Sequence, residues 1–228
     1  MKIGIDCRLW NETGVGRYIR NLVAQLHILD RVNNYTLFVL TKDYASVVSQ
    51  MANARPLANS SAGEVGRGKW RIVRVDIRWH TLGEQVKLPQ ILNKENLDLV
   101  HFPYFSVPIF YNRPFVVTIH DLIINHFPTG KASTLSFPIY NLKLLGYKFV
   151  IAQAAKKAKE IITVSSATKK EIVDHLGVDG EKVVVTYEGV DDKILNSNTR
   201  LAKASARRVE VRNNSQNTKY LIPNIFCT

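Results

Sequence analysis

Apolar and polar positions follow two rhythms along this chain, and the rhythms take turns. Short apolar, β-branched runs predict strands at residues 2–6, 35–40, 70–75, 98–102, 115–119, 160–164 and 183–187. Between them, apolar residues three and four apart mark helices. Ile19, Leu22, Val23, Leu26 and Leu29 form one stripe; Leu82, Val86, Ile91 and Leu92 form another, despite Pro89. Residues 43–51 predict a weak helix and 135–159 a long one. Residues 167–176 predict a short helix that Ser165-Ser166 can cap and Gly177 can end. This alternation predicts an α/β fold: a Rossmann-like, mainly parallel sheet with helices on both faces.

Residues 53–69 are polar and glycine-bearing and predict a flexible loop. The loop 103–112 is instead aromatic and proline-rich, with Tyr104, Phe105, Phe110 and Tyr111. It either contacts a sugar or lipid or packs on its own domain. From 196 to 218 the chain is polar and basic with no apolar period. The expected organisation is one Rossmann-like domain over 1–196. A basic tail over 197–228 follows, poorly structured or the cut-short start of a second domain.

Phe115 to Ile119 is an apolar, β-branched run, as expected of a strand buried on both faces, and it ends abruptly in His120-Asp121. In an open parallel sheet the carboxyl ends of the strands line the ligand crevice. An imidazole and a carboxylate are therefore delivered where chemistry would occur. The plainer alternative is a strand-end histidine whose ring bonds a backbone group. A second candidate opens the first long helix, Gly14-Val15-Gly16-Arg17-Tyr18. Helix amino termini expose N–H groups that suit a phosphate, and glycine lets an anion approach closely. The dinucleotide fingerprint is not met, because its third glycine would fall at Ile19.

The net charge is +12, and residues 199–228 hold six bases against one acid. That balance suits anionic partners such as nucleotide sugars, phospholipid headgroups or nucleic acid. No nucleic-acid recognition motif accompanies it, so nucleic acid is not expected. Two cysteines, Cys7 and Cys227, make no disulfide framework, and no apolar run approaches the ~18–20 residues of a membrane span. With no signal-peptide pattern at Met1–Asp6, these features predict a cytoplasmic protein, with peripheral contact at the membrane's inner face as a possibility. His101, His120, Asp121 and His126 match no metal-ligand spacing, and no metal is expected.

Several stretches in order resemble the amino-terminal domain of GT-B glycosyltransferases of the glycosyltransferase family 4, or group 1, type. They are Thr13-Gly14-Val15-Gly16-Arg17-Tyr18, the strand from Asp98 to Pro103, Val117-Thr-Ile-His-Asp121, Ile161 to Ser166 running into Lys169 to Ile172, and Tyr187-Glu-Gly-Val-Asp191. Many family members have asparagine in place of Glu188. The resemblance implies two Rossmann-like domains facing across a cleft, with the acceptor site on this one. It implies a UDP- or GDP-linked sugar as donor substrate, a glycan or lipid-linked acceptor, retention of anomeric configuration and no cofactor. Gly16 and Gly14 would offer N–H groups to the donor diphosphate or acceptor. Arg17 and Asp121 would join them in binding. His120 would contact the transferred sugar as the active-site histidine. The family's second domain adds a basic pair and two glutamates eight positions apart, which this sequence lacks. The expectation is an enzyme of the hexosyl- or mannosyltransferase kind in polysaccharide biosynthesis. This chain would then be truncated, frameshifted or one part of a split enzyme, inactive until a separate carboxyl-terminal half is supplied. The alternative is a non-catalytic basic α/β module that docks on an anionic lipid or polymer. Lysines ringing an apolar face would favour that second reading.

Overall fold

The computed structural model describes residues 1–53, 70–123 and 137–189. The expected loop over 53–69 beyond its first residue, the tail over 197–228 and the domain boundary expected at 196 lie outside these residues. Residues 1–185 form one compact unit.

Its frame is a seven-stranded parallel sheet. The strands are β1 (Lys2–Asp6), β2 (Asn34–Val39), β3 (Trp70–Arg74), β4 (Leu99–Phe102), β5 (Phe115–Ile119), β6 (Glu160–Thr163) and β7 (Val183–Val185), in the order β3-β2-β1-β4-β5-β6-β7. The chain runs outward from β1 to β3, then returns to lay β4 on the other side of β1. Right-handed crossovers then put the helices of the two halves on opposite faces, and the reversal beside β1 opens a crevice at the strands' carboxyl ends. The helices are α1 (Gly14–Leu29), α2 (Tyr44–Asn53), α3 (Leu82–Lys94), α4 (Phe137–Lys157) and α5 (Ser166–Leu176).

Local chemistry explains these elements. All residues of β4 and β5 are buried, His101 and Thr118 together with their apolar neighbours. Phe102, Phe115, Val117 and Ile119 join Leu88 and Leu92 of α3 and Ile151 and Ala155 of α4 in one core. Pro89 sits inside α3 and is buried with Leu88 and Leu92, so packing outweighs the missing backbone bond. Ser165 caps α5 by accepting from Thr168 N at 3.1 Å, and Gly177 ends it in the left-handed conformation at φ 62°.

The long helix α4 exposes Lys143, Lys148, Lys156 and Lys157, and with them two large apolar side chains. Ile151, Ala154 and Ala155 face the core, while Leu145 and Phe149, one turn apart, lie 65% and 54% exposed on the opposite side. Lys148 and Lys156 are exposed around them. Among the described residues no helix is long and apolar enough to cross a membrane.

The aromatic loop resolves toward its own domain. Phe105 and Tyr111 are buried. Phe105 meets Tyr104 at 4.0 Å and Tyr147 of α4 at 4.7 Å between ring centroids. Phe110 is the exception and stays exposed.

Candidate functional site

The crevice at the carboxyl ends of β1, β4 and β5 is built from two groups of side chains. The first is centred on His120, the residue that follows β5. It is half-buried, and its Nε2 donates to the carbonyl of Pro103, just past β4, at 3.0 Å. A carbonyl only accepts, so Nε2 carries the proton and Nδ1 is the ring's remaining polar atom. This is the backbone-bonded ring that the sequence left open as an alternative, yet the bond occupies one nitrogen only. Tyr18 of α1 stands edge-on to the imidazole, with centroids 4.8 Å apart and planes at 84°. The Tyr18 hydroxyl shares a hydrogen bond with Thr118 Oγ1 at 3.2 Å, and Thr118 Oγ1 shares another with His101 Nε2 at 2.8 Å. Thr118 and His101 are fully buried. Burial, and then the neighbouring His120, push the His101 imidazole down to about 3, so it is neutral at ordinary pH. The His120 carbonyl accepts a long bond, 3.4 Å, from Thr168 Oγ1 at the start of α5.

Asp121 is exposed, and its Oδ1 accepts from Ile123 N at 3.1 Å. Its charge is felt by the tyrosines beside it. Burial first, then Asp121, push the Tyr147 hydroxyl up to about 12; Tyr104 is also raised, by burial, Tyr147 and Asp121.

The second group is ionic. Arg8, just past β1, is 2% exposed and makes two bonds to Asp6, Nε–Oδ1 at 2.8 Å and Nη2–Oδ2 at 2.7 Å. The same Nη2 reaches Glu84 Oε1 at 2.6 Å, and Nη1 donates to the Ile77 carbonyl at 3.1 Å. Glu84 is fully buried. Its other oxygen accepts from Ser106 Oγ and from the backbone N of His80, both at 2.8 Å. That second bond holds His80 in the left-handed region, at φ 57°, with its ring 5.6 Å from Phe105. Burial works against the charge of Arg8, but Asp6 and Glu84 outweigh it and raise its pKa. Burial raises Glu84 despite Arg8 and Ser106.

The predicted site residues divide between these surroundings. Gly14 opens α1 in open space, and Arg17 is exposed one turn in. Thr13 makes no side-chain cap to α1, and no acid occupies its first turn. Gly16 is buried for a packing reason: a Cβ there would lie 2.5 Å from the Trp10 carbonyl and 2.8 Å from that of Leu9. The glycine therefore lets α1 and the loop before it pack together, whatever else its N–H does. Tyr18 carries α1 to His120, so the glycine segment and the His120-Asp121 corner share one crevice. The sequence reading missed Tyr18, Thr118 and the Arg8–Glu84 network. One signal was available, the capping pattern Thr81-x-x-Glu84, in which Thr81 Oγ1 accepts from Glu84 N at 3.2 Å.

The chain is similar to known proteins. Residues 13–194 match the sequence model described as Glycosyltransferase Family 4. The O-antigen chain mannosyltransferase RfbU of Salmonella typhimurium (strain LT2) is 25% identical over 113 residues, covering 50% of this chain and 29% of that protein. Among solved structures, a glycosyltransferase from Rickettsia africae ESF-5 aligns at TM-score 0.47 and 13% identity, over 90% of this chain and 50% of that one. The lipopolysaccharide outer core galactosyltransferase WaaB, in its apo form, aligns at TM-score 0.44 and 14% identity, over 84% and 46%. This chain thus spans half or less of the length of each of these three proteins.

Proposed function

The chain belongs to glycosyltransferase family 4, and from that premise we propose that its crevice is the acceptor-side half of a retaining hexosyltransferase site. The donor is a UDP- or GDP-linked hexose, and the acceptor a glycan or lipid-linked glycan on the cytoplasmic side of a membrane. The observation that carries this reading is the convergence of the α1 amino terminus and His120 at the carboxyl ends of the strands, through the Tyr18–His120 contact of 4.8 Å.

The roles follow from charge. Loss of a nucleoside diphosphate builds negative charge, and fixed donors stabilise it best. Gly14 and Gly16 offer backbone N–H groups at an uncapped helix start, and Arg17 adds an exposed cation there. His120 faces the transferred sugar with Nδ1, since Nε2 is committed to Pro103. Asp121 accepts from sugar hydroxyls. No metal is needed where N–H groups and cations carry the charge. The rest of the diphosphate clamp belongs to a carboxyl-terminal half.

The test is calorimetric titration of this chain with UDP- and GDP-hexoses, alone and with a family 4 carboxyl-terminal half added, beside a transfer assay. Binding and transfer only with the added half, both lost in His120→Ala, support the reading. Tight donor binding and turnover by this chain alone would move the donor site onto it and refute the assignment.

A second reading has its own observation. Leu145 and Phe149, exposed among Lys148 and Lys156, fit an anionic lipid surface. It makes the chain a peripheral membrane module, with or without transfer. Cosedimentation with phosphatidylglycerol vesicles, lost in Leu145→Glu/Phe149→Glu and absent for phosphatidylcholine vesicles, would support it.

A further inference from the structure

We propose that Tyr18 is a positioning residue for His120, anchored by the Thr118 hydroxyl and, behind it, by the buried His101 imidazole. The inference rests on reading His120 as a site residue, and it adds what aims that residue.

The geometry comes from the strand repeat. Residues two apart on a strand project from the same face, so Thr118 and His120 present themselves side by side at the end of β5. Tyr18 spans both. Its hydroxyl meets Thr118 Oγ1 at 3.2 Å while its ring meets the His120 ring at 4.8 Å. Thr118 is in turn held by His101 Nε2 at 2.8 Å, on the neighbouring strand β4. A threonine hydroxyl has one proton and two lone pairs, so the chain runs from His101 to Tyr18 or back again. In both directions the tyrosine hydroxyl is tied down and its ring cannot swing away.

His120 is thereby fixed at two points. Pro103 O takes Nε2–H, and Tyr18 blocks rotation of the ring. Nδ1 is left aimed in one direction. Tyr18 also follows Arg17 directly, so the contact makes the α1 amino terminus and the β5 terminus one rigid unit, although β4 and β1 lie between β5 and β2 in the sheet. The three anchoring groups are neutral, so the aiming device adds no charge beside a diphosphate.

The test is long-range proton–nitrogen correlation spectroscopy on the full chain labelled with 15N-histidine, at a pH where His120 is neutral. The native chain should show His120 mainly as the Nε2–H tautomer. Tyr18→Ala should average its two nitrogens toward a mixture of tautomers. Because that variant removes a whole ring, Thr118→Val and Thr118→Ser form a gentler pair. The valine keeps shape and loses the hydroxyl, and should move the His120 nitrogens the same way; the serine should restore them. With an added carboxyl-terminal half, Thr118→Val should lower kcat about ten-fold with KM nearly unchanged. Native His120 shifts in both Tyr18→Ala and Thr118→Val would overturn the proposal. The spectroscopic readout needs no turnover. Full transfer by His120→Ala would instead sink the reading of His120, leaving the Tyr18 contact standing.

Discussion

The two sides of the crevice solve one problem with opposite chemistry. Beside β1, loops are held by buried charge: Arg8 grips Asp6 and Glu84, and Glu84 grips the backbone of His80. Beside β5, a side chain is held by neutral groups: His101, Thr118 and Tyr18. Charge suits the first task. Carboxylates and a guanidinium each make several strong bonds at once, so one cluster fixes several stretches of backbone. Neutrality suits the second, because neutral groups hold a side chain without adding charge of their own beside it. The difference teaches that a crevice can be rigid on both sides and still respond to perturbation differently on each.

The largest expected effect comes from breaking the ionic side. Arg8→Met strands two carboxylates, one of them fully buried, and should cost about 3–5 kcal/mol in a urea denaturation series. The next separates the two glycines. Gly16→Ala forces a Cβ toward two loop carbonyls and should cost about 1–3 kcal/mol, whereas Gly14→Ala meets nothing within 4 Å and should change stability by under about 0.5 kcal/mol. Equal costs at the two positions would mean that the loop does not pack as described.

Acid should tell the two sides apart. The unfolded chain takes a proton on His101 near 6.5, but burial holds the folded imidazole down to about 3. The folded state refuses that proton, so stability falls as pH drops below 6.5, by up to about 1.4 kcal/mol per pH unit. Glu84 acts in the other sense. Its folded pKa is raised above 4.5, so the folded state keeps a proton the unfolded chain has released. Its contribution therefore favours folding as pH falls toward 4.5 and is lost as pH rises through the raised value. The fall of the denaturation midpoint below pH 6.5 should flatten in His101→Gln, and its fall on approach to pH 4.5 should steepen in Glu84→Gln. The same slope in both would erase the contrast.

The fold was legible because it rests on local rhythm. Buried parallel strands are mostly apolar, and β4 and β5 are so, apart from His101 and Thr118; capped helices need Ser165 and Gly177 where they stand. His120 was legible for the same reason, as a polar pair that ends an apolar run. Its surroundings were not, because they come from distant positions. Tyr18 lies 100 residues from Thr118, and Arg8 lies 76 from Glu84. Such pairs leave no period to read. Gly16 shows a subtler limit. Its glycine was read as room for an anion, and the structure gives it a packing reason as well. The aromatic loop could not be decided from composition, since rings that pack inward and rings that meet a sugar look alike in sequence.

The interior place of β1, between β2 and β4, sets the order in which this protein can be made. Its one edge pairs with β2, ending at Val39, but its other edge waits for β4, ending at Phe102, and Lys2 N bonds Asp98 across 96 residues. At ~5–20 residues per second, a ribosome leaves that edge unpaired for roughly 3–13 s. During that interval a short apolar strand offers open backbone groups to any passing partner. The nascent chain therefore passes through a stage in which a strand destined for the sheet interior has an open edge, and it should lean on chaperones most heavily between the synthesis of β2 and β4.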